Sequence, residues 1–219
     1  HNRPAAVRRI ASFLAKHPAI LIGGAVLSLF IVIALLAPDV LPDPVRLNPL
    51  QRLRTPSLQN PFGTDQFGRS TLSRTLNGTR ISLTVGILVA IATTVVGLLF
   101  GLLAGFLRRV DNVIMRLMDG IMAIPGILLA IALMSLFGSS IQNVVVAISI
   151  AEIPRMARIV RSSVLVIREQ PYVEAAVTNG TRLYRLLWRH VLPNIAAPVI
   201  VQATYVFASA MIVESVLSF

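Results

Sequence analysis

Residues 81–107 run for 27 positions without one charged side chain. At about 1.5 Å of rise per residue, a helix of that length exceeds the ~30 Å hydrocarbon core of a bilayer. In lipid every backbone polar group needs an internal partner, so such a stretch reads as a membrane-spanning helix. Thr93, Gly97, Gly101 and Gly105 recur in it at every fourth position. That spacing leaves one flat face for close approach of a neighbouring helix, and we read it as a helix–helix seam and not as a ligand site.

Four further stretches have the length and apolarity of spans: 19–37, bracketed by Pro18 and Pro38, then 113–137, 141–163 and 195–219. Pro125-Gly126 is expected to loosen or kink the third of the five, as a simple kink or as the border of a conduit. Composition agrees with this pattern. Mean hydropathy is +0.78, with 55% apolar and 13% charged residues, which excludes a soluble globular protein. The net charge of +11 raises nucleic acid as a partner. The cations, however, lie in the gaps between apolar runs and not beside stacking aromatics, so no nucleic-acid partner is expected. The fold class is therefore an all-α, polytopic integral membrane bundle. Residues 1–18 form a basic lead-in and residues 19–219 the transmembrane domain.

Lys and Arg favour cytoplasmic segments. With the N-terminus in the cytoplasm and residues 38–80 outside, 14 of the 20 cations fall inside and 6 outside. Arg155, Arg158 and Arg161, at the inner end of the fourth span, are expected to meet headgroups, a partner protein, or both. The chain starts at His1 and ends at Phe219 within an apolar run. Both ends suggest a piece of a longer protein, and no cleavable signal peptide is evident.

Catalytic chemistry is not legible. There is no phosphate-binding G-x-x-x-x-G-K-[ST] loop, no nucleophile elbow and no paired carboxylate cleft, so no catalytic residue is assigned and ATP hydrolysis by this chain is not expected. Cysteine is missing from the sequence, and His1, His17 and His190 are scattered, so no metal site is expected either. The spans are expected to lack the acidic relay of an ion-driven transporter.

The long polar interruption of the second half is residues 169–194, EQPYVEAAVTNGTRLYRLLWRHVLPN. Pro171 suits a first helical position. Val173, Ala176, Val177 and Gly180 then share a face, and Gly180 suits a helix end. Thr181 is placed to cap a second helix in which Leu183, Leu186, Leu187 and His190 form a stripe, with Arg182, Arg185 and Arg189 turned away. Pro193 is expected to stop it. An amphipathic helix pair at a membrane surface is a docking element.

Glu174-Ala175-Ala176, the glycine six residues after that Glu, and Val191-Leu192-Pro193 together resemble the EAA loop of bacterial ABC import permeases, with Val191 where the family has Ile. The outer stretch 60–74, NPFGTDQFGRSTLSR, followed by Gly78-Thr79-Arg80-Ile81-Ser82-Leu83, is similar to a signature of the dipeptide and oligopeptide branch. Gly63, Thr64, Asp65, Gly68 and Arg69 match, while Asn60, Phe62 and Ser70 depart from the usual His, Leu and Asp. Without the family, Asp65 and Arg69 are near enough to pair and the glycines permit tight turns. An ordered outer elbow fits these residues better than a substrate contact.

The resemblance implies a MetI-like permease subunit in a bacterial plasma (inner) membrane, with a sixth span beyond Phe219. It implies a sister permease, one or two ATPase subunits that hold ATP and Mg, an extracellular substrate-binding protein and membrane lipid as partners. No cofactor is expected on this chain itself. In the coupling loop it points to Tyr172, Glu174, Ala175, Ala176, Gly180, Leu183 and Leu187 as the ATPase contact. Alternating access, with the docking helices rocking the spans, is the implied mechanism. A nickel or glutathione ABC permease shares both signatures, and an ion-driven secondary transporter or a structural scaffold are the readings from other classes.

Two expectations concern the last span. Gln202, Tyr205 and Ser209 fall on one face, which belongs either to a hydrogen-bonded seam with another helix or to a wet pathway. Glu214 lies near the outer end and needs a partner or water. Arg80 is the preferred partner at an outer gate, with Arg74 the alternative, and a reach to the headgroup layer is the other reading.

Overall fold

A computed structural model describes residues 18–138 and 140–217. The basic segment of residues 1–17, Ser139, and the end at residues 218 and 219 lie outside the described residues. The chain divides into two compact units, residues 1–83 and 84–219. The described secondary structure is helical apart from one isolated β-bridge.

The first unit opens with α1, Pro18–Val40. Most of its large apolar side chains from Ile20 to Leu36 are exposed, with only Ala34 and Ala37 buried among the described ones, which is how a helix that faces lipid over most of its surface reads. An irregular segment follows, with a single 3-10 turn at Pro49–Gln51. It is closed by a bridge between Thr64 and Ser70 and by a run of backbone bonds. Leu53 donates to Asp65 O at 3.1 Å, Asn48 to Phe67 O at 3.2 Å and Thr64 to Arg54 O at 3.1 Å. The Thr64 hydroxyl accepts from Arg54 N at 2.9 Å and donates to the Gln51 carbonyl.

Asp65 organises this segment. Its carboxylate accepts from the N–H groups of Phe67 and Arg69 at 2.8 and 3.0 Å, from Arg69 Nε at 2.7 Å and from Arg74 at 2.9 Å. Partial burial pushes the carboxyl up, but those N–H groups and the Arg69 guanidinium outweigh it and hold the pKa at about 2, against an ordinary 3.8. Gly68 has φ +74°, and a Cβ there would lie 1.7 Å from Asn48 O, so only glycine fits. The expected Asp65–Arg69 pair and the glycine turns are both present.

Helix α2, Thr71–Phe106, starts ten residues before the expected second span. Nothing between 71 and 80 breaks a helix, and the Ser70 hydroxyl accepts from Ser73 N at 3.4 Å at its start. In the second unit its glycines do what their spacing predicts. A Cβ on Gly97 would meet Met156 Cγ at 2.4 Å, one on Gly101 would meet Val160 Cβ at 2.5 Å, and one on Gly105 would meet Val164 Cγ1 at 2.6 Å. All three partners are on α5, Ile141–Arg168, capped at its start by Ser140, which accepts from Asn143 N.

The expected third span is not one helix. Residues 108–137 form α3, Arg108–Met122, and α4, Gly126–Phe137, bent by 84° at the break. Pro125 cannot donate to the preceding turn, and Gly126 weakens the helix further. The anticipated kink is therefore a full corner. α3 is amphipathic, with charged Arg108, Arg109, Asp111, Arg116 and Asp119 on a 15-residue helix, which sets it apart from the apolar α4.

The last segment also departs from expectation. α6 is Pro171–Thr178 and α7 is Leu183–Leu186. A π-helical turn, Leu187–Val191, then feeds directly into α8, Leu192–Leu217. Pro193 does not stop the helix. It sits in the first turn after the widened π turn, and the Asn194 side-chain amide donates to His190 O at 2.5 Å, serving a carbonyl in the irregular stretch.

Three helical stretches are long and apolar enough to cross a bilayer: Pro18–Ala37, Thr71–Phe106 and Leu183–Leu217. The bent α3–α4 pair is a fourth if taken as one span. α5 has the length, 28 residues, but Glu152, Arg155, Arg158 and Arg161 crowd its second half. Two clusters form the core of the second unit. Val85, Val89, Val144, Ile148, Val206 and Ala210 make one. Met156, Val160, Val164, Val191, Ile195 and Val199 make the other, so α5 is central to both.

Candidate functional site

The loop after α5 presents an exposed short helix on a buried base. Pro171 occupies the first turn of α6 and Glu174 lies in the same turn, where a carboxylate favours the free N–H groups of a helix start. Val173 is buried and Ala176 is half-buried, while Tyr172, Glu174, Ala175 and Val177 face outward. The Tyr172 and His190 rings are 6.0 Å apart, tilted by 43°, so the two limbs of the loop touch.

The end of α6 is a Schellman closure. Thr181 N donates to Ala176 O at 3.0 Å and Gly180 N to Val177 O at 2.9 Å, with Gly180 at φ +73°. Thr181 does not cap the next helix as expected: the helix starts one residue later, and Arg182 takes the cap position without a side-chain bond. The expected stripe is also rearranged. Leu186 is buried and Leu187 packs on the second core cluster, whereas Leu183, Tyr184 and Trp188 are exposed, Trp188 at 74%. The exposed face of the loop thus carries aromatic and aliphatic groups beside Glu174.

Behind this loop, α5 is tied to α3 by ion pairs that sequence reasoning missed. Arg161 donates to both carboxylate oxygens of Asp111 at 2.5 and 2.6 Å, and Arg158 donates to Asp119 at 2.7 Å. Two hydrogen bonds from Arg161 hold the Asp111 carboxyl below its ordinary range against partial burial, and the Arg168 charge adds to the effect. Arg168 itself donates to Gly105 O at 2.9 Å. All three arginines at the inner end of the expected fourth span have a partner within the chain, Arg155 pairing with Glu152 on α5 itself. The available signal is the amphipathic pattern of 108–122, of which residues 113–122 fall within the expected third span.

At the α3–α4 corner a cavity of about 390 Å³ opens between α4, α5 and α8. Tyr205 and Ser209 line it together with Glu152 and Arg155. Arg155 contacts Glu152 at 3.4 Å, and its guanidinium lies 5.4 Å from the centre of the Tyr205 ring. Gln202 parts company with the other two members of its expected face. It is buried, and its Nε2 has no hydrogen-bond partner among the described residues. The spans are not free of acids: Asp119 and Glu152 fall inside 113–137 and 141–163, each paired with an arginine of α5.

Arg80 lies on α2 in the first unit, and Glu214 is half-buried on α8 in the second. Arg74, the alternative partner for Glu214, is engaged by Asp65. Among the described residues no group of His, Cys, Asp and Glu is arranged to hold a metal ion.

Residues 94–219 match the family described as binding-protein-dependent transport system inner membrane component. The sequence is 52% identical over 204 residues to a probable peptide ABC transporter permease protein of Sinorhizobium fredii, covering 93% of this chain and 70% of that protein. It is 39% identical over 208 residues to a dipeptide transport system permease protein of Alkalihalophilus pseudofirmus, covering 94% and 68% of the two chains. A glutathione transport system permease protein of Pectobacterium atrosepticum is 40% identical over 210 residues, at 94% and 69% coverage.

Proposed function

The chain belongs to the binding-protein-dependent transport system inner membrane component family, and on that premise we propose that it is the permease subunit of an ATP-driven peptide importer. The observation that carries this reading is the 52% identity to a peptide ABC transporter permease over nearly the whole chain. The permease role itself calls for no catalysis in this subunit. ATP and Mg belong to one or two partner ATPase subunits, and a sister permease completes the pathway. A substrate-binding protein delivers peptide from outside.

In this reading α6 is the docking element. Its outward Tyr172, Glu174, Ala175 and Val177, with Leu183 beyond the Gly180 closure, sit against the ATPase on the cytoplasmic side. Ala176 and Leu187 serve from behind, fixing the helix on its base. Nucleotide-driven movement of the ATPase pair is passed through this loop to α5 and α8, which alternates access to the two sides of the bilayer. The five-span topology with a cytoplasmic N-terminus, and Glu214 with Arg80 as an outer gate, belong to the same proposal. The identity to a glutathione permease favours a narrower second reading in which the peptide is glutathione.

The test is reconstitution of the purified complex in liposomes with its binding protein. Peptides are expected to stimulate ATP turnover and to accumulate inside. A complex that co-purifies without an ATPase, or that turns over ATP without response to any peptide including glutathione, removes the proposal.

A further inference from the structure

The cleft at the α3–α4 corner holds an acid–base pair that the coupling role does not use. Ionisable side chains within membrane-spanning segments are rare and mark pathways or relays. The cavity, about 390 Å³, falls within the ~300–1,000 Å³ range of small-molecule sites. We propose that this cleft receives the two charged ends of a short zwitterionic peptide, Glu152 taking the ammonium and Arg155 the carboxylate. The inference rests on the peptide-import reading and names the groups that recognise substrate within it.

The two kinds of ion pair on α5 differ in geometry. Arg161 and Asp111 make two bonds of 2.5 and 2.6 Å, the planar match of a structural tie. Arg155 and Glu152 make a single contact at 3.4 Å, with side chains 45% and 15% exposed. One partner is therefore fixed and the other is free to swing into the cleft. A zwitterion exchanges this internal pair for two external ones and leaves no charge unmatched, which is the condition for charges held at low dielectric. Tyr205 backs the guanidinium at 5.4 Å and limits its swing. The Ser209 hydroxyl adds a polar group, and Ile127 and Val213 offer apolar wall to a peptide side chain. A peptide blocked at both ends leaves Glu152 and Arg155 with nothing new to bind, so it is rejected.

The sequence has no cysteine, so Ser209→Cys places a single thiol of this chain on the cleft. In the assembled transporter in nanodiscs, its modification by a water-soluble maleimide is followed by the mass of this chain. Saturating alanyl-alanine is expected to slow modification at least fivefold, and N-acetyl-alanyl-alanine amide is expected to leave it unchanged. Glu152→Gln and Arg155→Gln, each added to Ser209→Cys, are expected to abolish the protection. Equal protection by the two peptides, or none by either, overturns the inference, and that comparison needs no change to the pair itself. Uptake of alanyl-alanine by the parent transporter in liposomes is measured in parallel. Uptake without protection removes the cleft site and leaves peptide import standing, whereas protection without uptake keeps the site and removes import.

Discussion

Gly180 is the residue on which the docking loop turns. Its φ of +73° is a conformation that costs an ordinary L-residue about 1–2 kcal/mol, and a β-branched residue more. Nothing lies within 4 Å of the position a Cβ would take, so the penalty for Gly180→Val is conformational and not a clash. The variant is expected to insert normally and to lose roughly tenfold in peptide uptake, about 1.4 kcal/mol of coupling. Glu174→Lys is expected to do the same by reversing a charge on the exposed face. Membrane-fraction blots beside liposome uptake check both, and full uptake in the two variants would take the loop out of the mechanism. Gly101 makes the opposite case. A Cβ there would lie 2.5 Å from Val160 Cβ, so Gly101→Leu overpacks the seam by about 1–3 kcal/mol and is expected to lower the melting temperature. Gly120→Ala, where no atom lies within 4 Å, is expected to leave it in place.

Among the helices, α3 is held to α5 by charge where α2 is held by shape. Asp111→Asn removes one side of a two-bond pair, worth about 1.5–3 kcal/mol for bonds to charged groups and towards the lower end where water reaches them. Faster amide exchange across residues 108–122, with α2 unchanged, is the expected result. Because Asp111 is held below its ordinary range, this tie is at full strength above the ordinary aspartate pKa. It is lost as pH falls through the lowered folded value, and exchange in the same segment is expected to rise over that acid range in the parent chain but not in the variant. The contrast also explains what the sequence disclosed. The Gly97, Gly101 and Gly105 seam was legible because the spacing of small residues on one helix states how near its neighbour can come. The Arg158 and Arg161 partners were not, because they lie 39 and 50 residues away and no local pattern names a distant acid. Pro125 announced a kink, yet a proline does not by itself say whether a helix bends or turns a corner of 84°.

For the molecule as a whole, the charge bias predicts an orientation that a labelling experiment tests directly. Leu58, in the segment expected outside, is fully exposed, and Thr178 is exposed at the end of α6. In a chain without cysteine, Leu58→Cys is expected to react with a membrane-impermeant thiol reagent on intact cells, and Thr178→Cys only after permeabilisation. The reverse pattern would invert the topology. One feature of the last helix was beyond periodicity altogether, because counting at 3.6 residues per turn presumes an unbroken α-helix. Leu186 and Val191 are both buried, although five residues at about 100° each would leave them roughly 140° apart. The π turn, Leu187–Val191, closes that gap by holding one residue more than an α-helical turn would. It is a spare link in the chain. Removal of Trp188, which is 74% exposed, should let the turn relax to α-helix, with Leu186 and Val191 then four residues and about 40° apart. Removal of Ala203, in regular helix, turns everything after it by about 100°. Expression and melting of the two deletions are expected to separate sharply, the first chain tolerating the loss and the second failing to fold.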